Sequence, residues 1–324
     1  KLKDAPGLAV QRREEAARPP FPEQALVRLN TSPYGAEGCR PEGGSRWNIV
    51  SAALAVGLAQ EALSQSFSPV AIITPYREQA RLLHRLIRDL GLREVLCGTV
   101  HRFQGGEAPY VVVDLVEGKR RRHKWTPFFA DDREETASRL FTVALSRAQV
   151  KVAILGDWPL LTSCLPPEAP LQRLWRGEPG KWQTAPRNVV ERKPHAIRWE
   201  AETSLLPAGL LEAVKQAERY VLVHWSQGEV PQELRESLLD YFRDVSHGTG
   251  LIQASPPNLK LGIPGQKPVP PPPYGLELPG APLVVVDGHT WWHRCNNGLW
   301  LGLVRVPRTV QLLVKLCGWP AIHK

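Results

Sequence analysis

The chain has 324 residues, of which 43% are hydrophobic and 23% charged, and its net charge is +9. This is the composition of a soluble globular protein, and the length favours two domains. No apolar run approaches the roughly 18–20 residues that span a bilayer, and the N-terminus lacks the apolar core of a signal peptide, so we expect a cytoplasmic protein without a membrane partner. The basic charge favours a polyanionic partner, of which nucleic acid is the commonest.

The cysteine and methionine contents limit the class of protein further. The five cysteines lie far apart and none has C-x-x-C spacing, so the sequence predicts neither a zinc site nor a disulfide framework. The chain contains no methionine, even at position 1. We therefore expect either a fragment or a sequence whose methionines have been replaced or omitted, and omission would shorten the spacings between motifs.

The first half of the chain predicts an α/β domain. Residues 25–30 (A-L-V-R-L-N) alternate like a short strand, and residues 45–64 predict an alanine-rich helix capped by Ser45. The pattern then predicts alternating strands and helices over residues 69–74, 76–90, 94–99, 110–115, 134–148 and 151–155. Such alternation is typical of a RecA-like parallel sheet with helices on both faces. We expect the functional loops at the carboxyl ends of the strands.

The second half predicts a smaller α/β domain. Residues 158–199 are rich in proline and tryptophan with little periodicity, which indicates a linker, and we divide the chain into domains at 1–160 and 201–324 with a linker at 161–200. Beyond it, the pattern predicts helices and strands over residues 205–218, 219–224, 232–245 and 283–287. The consecutive prolines 270–273 predict an extended loop, either a stiff spacer or a ligand for a proline-binding domain.

Three motifs lie just past the ends of predicted strands, where we expect ligands to bind. Residues 74–79 read T-P-Y-R-E-Q, residues 99–107 read T-V-H-R-F-Q-G-G-E, and residues 139–148 read R-L-F-T-V-A-L-S-R-A. In this order and spacing they resemble motifs IV, V and VI of superfamily 1 helicases, and most resemble branch 1B, which includes the nonsense-mediated decay helicase and the replication helicase-nuclease. S-R-W-N at residues 45–48 stands where that family has S-x-x-N. The resemblance covers residues 1–160 and implies the second RecA-like motor domain of an ATP-dependent helicase or translocase.

The resemblance also implies roles for single residues. Arg147 matches the motif VI arginine finger, and arginine suits the γ-phosphate of ATP because it is always charged and binds phosphate oxygens bidentately. Glu107 matches the motif V glutamate beside the ribose and phosphates. The other residues implied to bind the nucleotide are Tyr76, Arg77, Gln79, Gln104 and Gly105. Those implied to bind the nucleic-acid strand include Thr99, His101 and Arg102.

The match departs from the family at one position of motif IV. The nonsense-decay helicase has an arginine directly after the motif IV glutamine, where this chain has Ala80. Arg77 and Arg81 are the candidates for the second phosphate contact.

Basic residues fill the insertion between motifs V and VI. Residues 119–124 read K-R-R-R-H-K, with Trp125 and Phe128 nearby. Cations interleaved with aromatic rings suit single-strand binding through phosphate contact and stacking, so Arg121 and Arg122 are further candidates. A solvated loop explains the run equally well.

Each motif taken alone can also be explained by ordinary structural roles, without a function in nucleotide or nucleic-acid binding. Arg139 and Arg147 lie eight residues apart on a predicted helix and suit surface ion pairs, while residues 104–105 suit an ordinary turn. The set of three motifs argues for the helicase.

The sequence lacks a G-x-x-x-x-G-K-[ST] motif, whose backbone cradles the phosphates of ATP. We therefore expect this motif and the Mg²⁺ ligands in a first motor domain of the same polypeptide. ATP and Mg²⁺ are the expected cofactors and single-stranded DNA or RNA the expected partner, and this chain alone is not expected to hydrolyse ATP.

The second half resembles one half of a phospholipase D-like fold. The resemblance rests on R-Y-V-L-V-H at residues 219–224 and V-V-V-D-G at residues 284–288. Nucleases of that fold carry H-x-K before the last strand, where this chain has Gly280 and Pro282, so the implied site is degenerate. We interpret His224, His289 and His293 as structural or surface residues. A non-motor nucleic-acid tether and a phospholipase D-like nuclease remain the alternatives to the motor.

Overall fold

The chain divides into two compact units. A computed structural model describes residues 7–35, 38–39, 45–103, 106–118, 142–165, 167, 169, 171–172, 183–184, 196–201, 206–225, 229–244, 251–255, 259–261, 263, 266–268, 282–295, 299–317 and 319. Unit 1 comprises Lys1–Gly38, Ser45–Ile87 and Gly91–Arg192. Unit 2 comprises Cys39–Gly44, Arg88–Leu90 and Lys193–Lys324.

Unit 1 contains a parallel sheet. Its strands are β1 (Leu26–Asn30), β2 (Val70–Thr74), β3 (Val95–Thr99), β4 (Ala108–Asp114), β5 (Ala148–Gly156) and the two-residue β6 (Gln183–Thr184). Their order is β3-β2-β4-β5-β1-β6, and every neighbouring pair is parallel. The predicted RecA-like α/β fold is therefore confirmed. Its apolar strands are buried because helices cover the sheet.

The described helices of unit 1 are α1 (Leu8–Ala16), α2 (Ile49–Ser64), α3 (Arg77–Asp89) and α4 (Trp158–Cys164). The sequence predicted Ser45 as the cap of α2, which is wrong. Asn48 caps this helix, since its side chain accepts the Ser51 N–H at 3.0 Å. The Ser45 hydroxyl instead accepts the backbone N–H of Glu78, in the first turn of α3, at 2.8 Å.

Regular structure continues into the predicted linker. Asp157 accepts the N–H of Leu160 at 3.2 Å and caps helix α4. Residues 183–184 pair with β1, so they extend the sheet of unit 1. Two parts of the range predicted as a linker therefore have regular structure. Prolines obscured the pattern, although Pro159 stands in the first turn of α4, where the missing N–H costs nothing.

Unit 2 contains a mixed sheet. Its strands are β7 (Ile197–Ala201), β8 (Tyr220–His224), β9 (Leu251–Ser255), β10 (Lys267–Pro268), β11 (Leu283–Val286), β12 (Thr290–Arg294) and β13 (Leu299–Leu303). Their order is β10-β9-β8-β11-β12-β13-β7, with β8 to β10 mutually parallel and the remaining neighbours antiparallel. The described helices are α5 (Ala208–Lys215), α6 (Gln232–Asp244) and α7 (Pro307–Leu316). None of the helices in the described ranges of either unit is long and apolar enough to cross a membrane.

Tryptophan rings fill the core of unit 2. Trp291, Trp292 and Trp300 are all fully buried on β12 and β13. Gly302 pairs with Trp292 across these strands, and a Cβ atom at position 302 would stand 2.7 Å from two carbons of the Trp292 indole. Glycine is therefore required here for space, because a rigid buried ring cannot move aside.

Replacing Gly302 with alanine is expected to destabilise unit 2. The added methyl group forces the Trp292 ring or the strand to move, at a cost of about 1–3 kcal/mol for overpacking. Denaturant unfolding, followed by tryptophan fluorescence, measures the loss. Gly106→Ala is the control, because the nearest atom to its Cβ lies at 3.8 Å, in ordinary contact. Equal stability of the two variants would contradict the prediction.

Candidate functional site

The sheet of unit 1 has two edges that carry candidate residues. Thr74 pairs with Thr99, and Ile73 with Val113, so the carboxyl ends of β2, β3 and β4 meet in one row. We call this row the carboxyl edge. Ala108 pairs with Ala148 at the start of β4 and β5, which we call the amino edge. Because the strands are parallel, the two edges are separated by the length of a strand.

Arg147 and Glu107 meet at the amino edge. The backbone N–H of Ala108 donates to the Arg147 carbonyl at 3.0 Å, and the Arg147 guanidinium donates to the Gly106 carbonyl at 3.5 Å. The carboxylate of the exposed Glu107 accepts from the Gln149 amide at 3.2 Å. Two residues that the sequence assigned to one nucleotide are thus brought together from motifs 40 residues apart.

The charge of Arg147 is not neutralised within the described part of the chain. Its other donors bond to the Val143 carbonyl at 3.2 Å and the Ser146 hydroxyl at 3.0 Å, both neutral acceptors. Within the described ranges no carboxylate forms an ion pair with it. A half-exposed guanidinium with neutral acceptors retains its attraction for an anionic ligand.

The sequence predicted that all three motifs follow strand ends, and this is wrong for motif VI. Its described part, residues 142–148, contains a helical turn and then leads into β5. Motif V begins at Thr99, the last residue of β3, but its Glu107 precedes β4. The error arose because helix-to-strand and strand-to-helix connections lie at opposite edges of a parallel sheet.

A buried network holds the carboxyl edge together. The Gln79 side-chain amide donates to the Asp114 carboxylate at 2.6 Å and to the Asn48 carbonyl at 3.1 Å, while its oxygen accepts the Asn48 N–H at 2.8 Å. The Ser51 hydroxyl also donates to Asp114. All four residues are buried, Gln79 completely. Gln79 therefore joins α2, α3 and β4, and its predicted contact with nucleotide stays a prediction.

Tyr76 belongs to a second buried group at the same edge. Its hydroxyl donates to the Glu117 carboxylate and accepts from the Arg46 guanidinium at 2.7 Å. Arg46 and Glu117 form an ion pair, and their side chains are only 12% and 6% exposed. This burial leaves little of the Tyr76 ring accessible to a ligand.

The turn after β4 is strained. Val116 has φ 69°, a left-handed conformation that a β-branched residue rarely adopts and that costs about 1–3 kcal/mol. Its N–H donates to the Asp114 carboxylate at 3.0 Å, and its carbonyl accepts from the Asn48 amide at 3.0 Å. These two bonds hold the turn in place.

The other candidates of motif IV lie on the surface of α3. The Arg77 and Arg81 side chains are 74% and 52% exposed, and both pair with the buried Glu78, at 3.7 and 2.8 Å. Either arginine can reach a ligand only by leaving or sharing this carboxylate.

The motif V candidates at the end of β3 are accessible. Thr99 is half-buried, while His101 and Arg102 are exposed on the 3-10 turn Val100–Phe103. Gln104, Gly105, Arg121, Arg122 and Arg139 lie outside the described residues.

Four residues of the carboxyl edge were not singled out from the sequence as site residues: Arg46, Asn48, Asp114 and Glu117. Two signals were present. Asp114 is a charged residue in the otherwise apolar run Y-V-V-V-D-L-V, and Asn48 is the last residue of the S-x-x-N motif. A carboxylate in a buried strand requires partners, which predicts a polar network.

The Asp114 carboxyl group has an unusual pKa. Burial raises its pKa to about 6, although hydrogen bonds from Ser51, Gln79 and Val116 act in the opposite direction. The folded protein therefore favours the protonated form more than the unfolded chain does. The protonated carboxyl group therefore contributes to the free energy of unfolding. This contribution is complete below the ordinary carboxyl pKa of about 3.9 and is lost as the pH rises through about 6.

Asp114→Asn is expected to remove this pH dependence, since asparagine does not ionise in this range. The stability of the wild type relative to the variant should fall between about pH 4 and pH 7, by on the order of 3 kcal/mol. Chemical unfolding of both proteins at several pH values measures the difference. Parallel stability curves would show that the carboxyl group titrates normally.

A buried lysine anchors the segment before β1. The Lys151 ammonium donates to the Pro20 and Phe21 carbonyls at 2.8 Å and to the Arg18 carbonyl, and the residue is fully buried. Burial lowers its pKa to about 8. The contact fixes residues 18–21 to the start of β5, four residues beyond Arg147.

Two histidines of unit 2 lie in buried positions. Burial lowers the pKa of His224 to about 4, so the ring is neutral near pH 7. His293 is also buried. The described residues contain no group of three potential ligands that could hold a metal ion, and the five cysteines form no disulfide. The resemblance of unit 2 to a phospholipase D-like fold stays a prediction.

Comparisons with known proteins agree with the motifs. Residues 1–158 match the family model of an AAA domain. A stretch of 105 residues, 31% of this chain and 8% of the relative, is 32% identical to the human RNA helicase Mov10l1, and the mouse protein of that name is 33% identical over the same length. A stretch of 155 residues, 45% of this chain, is 30% identical to the human DNA replication ATP-dependent helicase/nuclease DNA2 and spans 13% of it. These similarities support a helicase-family domain, and this chain spans only a small part of each relative.

Proposed function

We propose that unit 1 is the second RecA-like motor domain of a superfamily 1 helicase or translocase of branch 1B, which hydrolyses ATP together with a first motor domain of the same polypeptide. The observation that carries the proposal is the meeting of Glu107 and Arg147 at the amino edge. The three motifs and the similarity to two helicases support it.

Arg147 is the proposed arginine finger. Phosphoryl transfer spreads negative charge over the γ-phosphate oxygens in the transition state, and a positioned guanidinium stabilises that charge. The neutral acceptors around Arg147 orient its guanidinium without neutralising it. Glu107, held by Gln149, contributes a polar contact beside the same nucleotide.

The carboxyl edge is the proposed contact with single-stranded nucleic acid. Thr99, His101 and Arg102 offer hydroxyl, imidazole and guanidinium donors to a phosphate backbone, and all three are at least partly exposed. Phosphate contacts of this kind do not read sequence, as a translocating motor requires. DNA and RNA are both compatible with them.

ATP and Mg²⁺ complete the proposed site. The cation would neutralise phosphate charge, and we assign its ligands to the proposed first motor domain together with the G-x-x-x-x-G-K-[ST] motif, which this sequence lacks. This chain supplies the guanidinium and the carboxylate, and it holds them directly before the neighbouring strands β5 and β4.

Arg147→Ala in the full-length protein is expected to lower strand-stimulated ATP hydrolysis about 1000-fold, the usual effect of removing an arginine finger. Arg147→Lys should recover little, because an ammonium is a point charge without the bidentate geometry. Steady-state phosphate release with single-stranded DNA and with RNA measures both effects and shows which polymer is preferred.

Arg243→Ala is the matched control for the loss of an exposed arginine. Its side chain lies on α6, is 74% exposed and forms only a surface pair with Asp240 at 3.7 Å. Tight strand binding without turnover in the wild-type protein would replace this proposal with the non-motor tether.

A further inference from the structure

Strand β4 connects the two edges of the sheet. It begins at Ala108, directly after Glu107, and ends at Asp114 in the network of the carboxyl edge. It lies between β2 and β5, and nearly all of its residues are buried. A strand packed on all sides deforms little, so a displacement of one end moves the other.

Asp114 attaches β4 to both helices that begin at the carboxyl edge. Its carboxylate accepts from Gln79 in the first turn of α3 and from Ser51 in the first turn of α2. The same carboxylate holds the strained Val116. One buried side chain therefore makes three contacts, each with a different part of that edge.

The turn at Val116 keeps its left-handed conformation through its hydrogen bonds to neighbouring side chains. A left-handed β-branched residue persists only while its surroundings enforce it, and such positions occur in switch regions. Here the carboxylate of Asp114 and the amide of Asn48 enforce it. Displacement of β4 would weaken both bonds together.

We infer that Asp114 is a positioning residue that couples the nucleotide contacts at Glu107 and Arg147 to the nucleic-acid contacts at the carboxyl edge. Movement at the amino edge passes along β4 to Asp114 and then, through Gln79, to the first turn of α3. Thr99 moves with it, because β3 pairs with β2 directly before that turn. The inference rests on the proposed function, and it assigns the coupling to a network outside motifs V and VI.

The test is Asp114→Asn in the full-length protein. Asparagine keeps the shape but replaces one carboxylate oxygen with an NH2 group, so that either Gln79 at Oδ2, or Ser51 and Val116 at Oδ1, lose their acceptor. ATP hydrolysis without nucleic acid is the reference rate of each variant, and the readout is the ratio of the strand-stimulated rate to that reference rate. The stimulation by a saturating single strand should fall about tenfold or more, while strand binding without nucleotide is retained.

Two further variants separate coupling from folding. Asp157→Asn is the matched control, because it makes the same change at another buried aspartate, past the end of β5, where asparagine caps a helix as well as aspartate does. Val116→Gly keeps every polar group of the network and adopts the left-handed turn without strain. If Asp114→Asn does not fold, Val116→Gly is decisive, and we expect it to lower the stimulation about threefold or more.

The outcomes distinguish this inference from the proposed function. A wild-type protein without strand-stimulated ATP hydrolysis overturns both. If a single strand stimulates ATP hydrolysis equally in the wild type, in Val116→Gly and in Asp114→Asn, the coupling is overturned and the proposed function stands. An equal fall of basal and stimulated rates in either variant also overturns it, because the network would then support only the fold.

Discussion

The hydrogen bond from the Gln79 amide to the Asp114 carboxylate determines how unit 1 is assembled at its carboxyl edge. It joins residues 35 positions apart, and both side chains are fully buried. Water cannot replace either partner, so breaking the bond leaves a buried amide or carboxylate unsatisfied. Helix α3 must therefore begin where β4 ends. The exposed candidates on α3 and β3 take their places from this constraint.

The parallel sheet distributes the candidate residues between its two edges. Motif V begins at the carboxyl edge with Thr99 and reaches the amino edge at Glu107, eight residues later. A five-residue strand is about 16 Å long, which a connection of this length can span. Motif V thus has one end beside the proposed nucleic-acid contacts and the other beside Arg147. The connecting segment and strand β4 give the two edges two separate covalent paths.

The sequence predicted the sheet of unit 1 well because its strands are apolar and regularly spaced, as at residues 70–74 and 108–114. It predicted the neighbouring positions of Glu107 and Arg147 only through the family resemblance. Hydrophobic periodicity could not show that these residues precede their strands, because loops at the carboxyl edge and at the amino edge have similar residue patterns. Ser45 was predicted as the cap of α2 in place of Asn48, because both residue types cap helices. Strands β12 and β13 were missed, because both faces of each strand are buried and their residues show no alternation of apolar and polar side chains.

The contacts of Lys151 restrict the residue type at position 151 but not the residue types of its partners. Its ammonium is held entirely by main-chain carbonyls of residues 18, 20 and 21, which every amino acid possesses. Side chains in that segment can therefore diverge among homologues without loss of the contact, provided the backbone keeps its path. Position 151 has no such freedom, because only a long cation reaches all three oxygens. Across homologues, lysine should therefore persist on β5, while the side chains of residues 18–21 are constrained only by their own packing, as the buried Phe21 is.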